Sequence, residues 1–93
     1  MLAAGGRPAD PRAAAAALGL SAREIEVLEL VTAGMTNGEI ADRLFITRKT
    51  AAVHVTHILD KLGVPNRVSA AMIGARVGLG APAEDDEAYA RSD

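Results

Sequence analysis

The stretch TRKTAAVHVTHILDKLG, residues 47–63, sets His54, His57 and Asp60 at three-residue intervals. Imidazoles and a carboxylate at that spacing can converge on a divalent metal, and a His beside a hydroxyl can activate a nucleophile. The rest of the chain completes neither arrangement. Zinc sites use three or four protein ligands, each oriented by a further partner, whereas this chain has two His and no Cys. At about 100° per helical residue, His54 also lies well off the direction shared by His57 and Asp60. Ser21 and Ser69 have no base and orienting group arranged around them. The expectation is a protein without catalysis, metal or cofactor, in which His54 sits beside the core and His57 is exposed.

At 93 residues there is room for one small domain with a modest core. The lack of cysteine removes any disulfide framework. No apolar run approaches the roughly 18 residues of a membrane span, and MLAAGGRPADPR is no export signal, so the chain reads as cytoplasmic. One Phe, one Tyr and no Trp argue against a platform that stacks the bases of single strands.

The formal net charge of −2 is unevenly distributed. Residues 80–93 hold five acids against Arg91, a local −4. Residues 43–67 hold Arg43, Arg48, Lys49, Lys61 and Arg67 against Asp60 alone, a local +4, while Glu24, Glu26 and Glu29 cluster earlier. One end of the domain is therefore electropositive, as a polyanion partner requires.

The elements that position these charges follow from capping signals and apolar spacing. LSARE places Ser21 as N-cap with Glu24 three residues on, and MTNGE repeats the device with Thr36 and Glu39. Leu20 with Ile25 and Met35 with Ile40 supply the matching hydrophobic staples. Thr47 caps a third helix and Asn66 a fourth, while Gly34 and Gly63 suit left-handed stops. Four helices result, over about 22–33, 37–44, 48–62 and 67–77. In the third, Ala51, Val55, Ile58, Leu59 and Leu62 line one face, and Lys49, Val53, Thr56, His57 and Asp60 point the other way. A short helix, the joint FIT and a longer helix with an exposed polar face make a helix-turn-helix, whose second member enters a DNA major groove. Thr47, Arg48, Lys49 and Thr50 surround that helix's N-terminus, where free N–H groups and the dipole favour phosphate. Val53 is placed to meet a thymine methyl; Lys61 is placed either on DNA or against the carbonyl end of its own helix, and Arg67 either on DNA or paired with Glu24 or Glu26. The flanks, 1–17 and the acidic 80–93, read as flexible, with the folded unit over 18–79.

The run LSAREIEVLELVTAGMTNGEIADRLFITRKTAAVHVTHILDKLGVPNRVSAA resembles the LuxR-type helix-turn-helix of the NarL/FixJ and quorum-sensing regulators. The match covers about 60 residues, with REIEVL, GMTNGEIA, LFIT, KT, KL and NR in register. The resemblance implies an all-α, four-helix domain with the helix-turn-helix over about 36–62 and a dimer helix over about 66–79. It implies a bacterial transcriptional regulator's output domain that binds double-stranded DNA as a homodimer on an inverted repeat, with RNA polymerase as a further candidate partner. Members often carry Val-Lys after the KT pair and a basic residue one turn later, where this chain has Ala51, Ala52 and Thr56. Those positions place Ala52 and Thr56 with Thr47, Arg48, Lys49, Thr50, Val53, His57 and Lys61 as the DNA-binding set.

The last helix, RVSAAMIGARVGL, is apolar over most of its circumference. Val68, Ala71, Met72, Ala75 and Leu79 lie at helical spacing along one face, too much apolar surface with the remainder for burial on one side. Ala70, Ile73, Gly74 and Val77 are assigned to a second subunit. Two other classes fit parts of the pattern. A sigma-factor-like promoter reader also ends in a helix-turn-helix but lacks the segment GVPNRVSAAMIGARVGL. A protein interaction module follows if Ala52 and Thr56 mark a degenerate reading face.

Overall fold

The computed structural model describes residues 10–79. It contains α1 (Pro11–Ala16), α2 (Ala22–Thr32), α3 (Asn37–Leu44), α4 (Arg48–Leu62) and α5 (Arg67–Arg76), with no strand among the described residues. The four expected helices are α2 to α5, and their ends agree to within one residue. The expected acidic tail, 80–93, and residues 1–9 of the N-terminal flank lie outside the described residues.

Helix α1 corrects the reading of residues 10–17 as a flexible flank and raises the helix count from four to five. Asp10 caps it by accepting the Arg12 N–H at 3.0 Å, and Pro11 takes the first helical position, where a missing N–H costs nothing. The alanines that follow favour helix and leave a flat face. Ala15 is fully buried, and Arg12 pairs with Glu29 of α2. Pro11 also approaches Gly78 beyond the end of α5, so α1 bridges two other elements.

Helix α2 is the hub. It buries Glu24, Ile25, Val27, Leu28 and Val31, and it packs on α5, α4, α1 and α3. Its capping box is complete: Ser21 Oγ accepts the Glu24 N–H at 3.1 Å and Glu24 Oε1 accepts the Ser21 N–H at 2.9 Å. Thr36 and Glu39 repeat this at the start of α3 with bonds of 3.1 and 2.8 Å. With Ile40 and Ala41 buried and Leu44 against the core, the eight-residue α3 depends on tertiary packing.

Helices α2 to α5 end alike. Just past the end of each, one residue sends its N–H back five residues: Met35 to Leu30, Ile46 to Ala41, Val64 to Leu59 and Leu79 to Gly74, all at 2.9–3.1 Å. This closure needs a left-handed residue just before the donor. Gly34, Gly63 and Gly78 supply it three times, at φ of 89°, 70° and 93°. The fourth is Phe45, at φ 60° and ψ 44°, the only non-glycine residue at positive φ among those described. A side chain in that conformation costs roughly 1–2 kcal/mol.

Helix α5 divides its apolar residues differently from the two expected faces: Leu79 is buried and Ala71 and Val77 pack against the core. Ala70 and Gly74 are buried against the bundle, whereas Val68 and Met72 are 66% and 58% exposed and Ala75 is exposed. Ile73 and Val77 are half-buried. The small residues that the sequence offers for close approach by a second subunit are approached by α2 within the chain. A Cβ on Gly74 would overlap Thr32 Oγ1, which is itself held by donating to Leu28 O at 2.7 Å. Gly74→Ala is therefore expected to destabilise the domain by about 1–3 kcal/mol through overpacking. Thermal unfolding followed by circular dichroism checks this; an unchanged midpoint would contradict the α2–α5 contact.

Candidate nucleic-acid interface

Helix α4 is built as a two-faced element. Ala51, Val55 and Ile58 are buried, and Leu59 and Leu62 pack at the edge of the core. This inward seam fixes the rotation of the helix about its axis. Lys49, Val53, Thr56, His57 and Asp60 are consequently exposed, while Ala52 and His54 are half-buried at the flanks. Val53 is 45% exposed at the middle of the polar face, where it contributes little to the core. From Lys49 to His57 the helix rises about 12 Å, close to the roughly 12 Å width of a major groove. Asp60 lies further along the same outward direction, and its charge opposes contact with phosphate beyond His57.

The N-terminus of α4 carries the cationic part of the face. Thr47 Oγ1 accepts the Thr50 N–H at 3.0 Å, and the two hydroxyls are themselves bonded at 2.9 Å. Thr50 thus stands in the place of a capping-box carboxylate and adds no negative charge where phosphate would approach. The N–H groups of Arg48 and Lys49 remain free of that cap. The Arg48 guanidinium lies over Gly38 at the start of α3, 3.1 Å from where a Cβ would stand, so it joins the ends of the two helices of the motif.

Two basic residues are held inside the fold. Lys61, grouped from sequence with the DNA-binding residues, donates from Nζ to Glu24 Oε1 at 2.8 Å. Its ammonium ties the end of α4 to the start of α2 and lies off the outward strip. Arg67 does not pair with Glu24 or Glu26. It donates to Asn37 Oδ1 and to the Met35 carbonyl, both at 2.9 Å, and so clasps the start of α5 to the start of α3. Among the described residues, no three His, Cys, Asp or Glu side chains gather where they could hold a metal ion. His54, His57 and Asp60 occupy the flank and face of α4 separately. No helix of the described residues is long and apolar enough to cross a membrane.

Residues 18–73 match the luxR family of bacterial regulatory proteins, and the chain belongs to that family. It is 49% identical over 57 residues to the transcriptional regulatory protein LiaR of Bacillus subtilis, an alignment covering 61% of this chain and 27% of LiaR. It is 45% identical over 62 residues to the transcriptional regulatory protein LnrK of the same organism, covering 67% of this chain and 28% of LnrK. The oxygen regulatory protein NreC of Staphylococcus aureus is 48% identical over 48 residues, covering 52% of this chain and 22% of NreC. The chain therefore spans about a quarter of the length of these relatives.

Glu24 carries a prediction about how α4 is held. Burial raises its carboxyl pKa, but the hydrogen bond from Lys61, the Ser21 backbone and hydroxyl contacts and the Lys61 charge outweigh burial, leaving it below the ordinary 4.5. A carboxylate with a depressed folded pKa contributes stability above its unfolded value, and that contribution is lost as pH falls through the folded value. Glu24→Gln should lower the melting temperature by several degrees above about pH 5, and the gap to the parent should close as pH falls below about 4. Melting curves across that range check it; a constant gap would mean the ion pair does not hold the helix.

Proposed function

We propose that this domain is the DNA-reading output module of a transcriptional regulator, with α4 lying in the major groove of a double-stranded site. The observation that carries the reading is the outward strip of α4: a basic, capped N-terminus with Lys49, followed by Val53, Thr56 and His57 on one line, fixed in direction by a buried seam on the opposite side. Thr47, Arg48, Lys49 and Thr50 hold phosphate, Ala52, Val53, Thr56 and His57 face base edges or their rims, and Lys61 positions the helix from inside. The names of the relatives, as transcriptional regulators, support the same class of activity.

The domain acts as a pair on an inverted repeat, because two-fold protein symmetry matches two-fold symmetry in the site. The pairing surface is the stripe Val68, Met72 and Ala75 on α5, which the bundle leaves exposed, in place of Ala70 and Gly74, which α2 occupies. One such stripe buries little beside a standard interface, so pairing by this domain alone is weak. In transcription control, the bound domain then stands beside RNA polymerase as its further partner.

Selection from random duplexes supplies the site on which two variants are compared. Lys49→Ala should weaken binding to all sequences and lower the salt slope by about one ion. Val53→Ala should leave the slope unchanged and relax preference at one base pair, by on the order of 1 kcal/mol. Failure to select any sequence, or binding indifferent to both changes, would contradict the reading. Met72→Asp should abolish cooperative occupancy of the two half-sites while a single half-site still binds; retained cooperativity would move pairing elsewhere.

A further inference from the structure

We infer that Phe45 is a DNA contact, its ring resting on the deoxyribose of the nucleotide whose phosphate meets the N-terminus of α4. The inference rests on the major-groove reading above and adds to it a residue outside the reading helix. Four helix ends in this domain share one closure, and three of them place glycine at its left-handed position. At the fourth, between the two helices of the motif, the chain places its only phenylalanine. The position is strained for any side chain, and glycine would relieve the strain. The ring gives nothing back to the fold, since Phe45 is 94% exposed. A residue that loses conformational energy and gains no burial is explained by a surface it meets when the domain is bound.

The charges around it favour a nucleic acid over a protein with a basic rim. The run RLFITRK, residues 43–49, contains Arg43, Arg48 and Lys49 and no acid. Phe45 precedes the Thr47 cap by two residues, so its Cα lies within about 7–8 Å of the cap's Cα. A phosphate seated at the start of α4 therefore brings the attached sugar within reach of the ring. Deoxyribose presents an apolar face and carries no sequence information, so the contact should add affinity without adding base preference.

The test uses Phe45→Gly and Phe45→Tyr, measured on the selected duplex and on a scrambled one over a range of salt. Phe45→Gly should keep or raise the melting temperature and weaken binding about five- to twentyfold, by the same factor on both duplexes and with the salt slope unchanged. Phe45→Tyr, which keeps the ring, should bind within about twofold of the parent. Affinity of Phe45→Gly within twofold of the parent would overturn the inference and point to a protein on this corner. A slope changed by about one ion, or equal losses in both variants, would overturn it as well. If the parent bound neither duplex, the major-groove reading itself would fail, a result distinct from all of these.

Discussion

The buried seam of α4, formed by Ala51, Val55 and Ile58 against the rest of the bundle, is the contact on which the outward face of the helix depends. A helix has one rotational freedom about its axis, and burying three residues on a single stripe removes it. Every outward direction then follows, from Lys49 at the first turn to His57 at the third. The end of α4 is held by Lys61 on Glu24, a carboxylate that also closes the capping box of α2. One oxygen of one side chain thus links the start of α2 to the end of α4. Lys61, despite its charge and its place on α4, therefore holds the helix from within the fold.

The N-terminal end of α4 is held differently, through its partner in the motif. Arg48 lies over Gly38 of α3, and Arg67 reaches from α5 to Asn37 and the Met35 carbonyl at the start of α3. The short α3 is therefore held at its beginning by the Arg67 guanidinium, with the Arg48 side chain lying over Gly38 beside it. Positive charge is divided between this scaffold work and the exposed face. With net charge −2 over the whole chain, Lys49 is nonetheless exposed at the N-terminus of α4.

Capping and periodicity were strong enough to read α2 to α5 almost to the residue, since Ser21, Thr36, Thr47 and Asn66 each act through local bonds that their neighbours in sequence predict. The outward strip of α4 was legible for the same reason, because its apolar residues occupy one stripe only. Helix α5 was not, because it is apolar nearly all round and periodicity then cannot choose a face. The choice rests on Gly74, whose missing side chain makes room for Thr32, a contact between residues far apart in sequence. Helix α1 did carry a local signal, Asp10 followed by Pro11 and a run of alanines ended by Gly19, but alanine also reads as linker. The partners of Lys61 and Arg67 lie 37 and 30 residues away, beyond what spacing can resolve. Phe45 was legible as part of a joint, and its left-handed backbone was not, since the type of residue argues against that conformation.

The central claim, that α4 presents its outward strip to duplex DNA, is tested most directly by titrating the isotope-labelled domain with its selected duplex and following backbone amide resonances. The account predicts that the largest shifts fall on residues 47–57, with smaller ones at the start of α3, while the buried seam at Val55 and Ile58 stays protected from exchange. Shifts concentrated on α2 or on α5, with Lys49, Val53 and His57 unmoved at saturation, would contradict it.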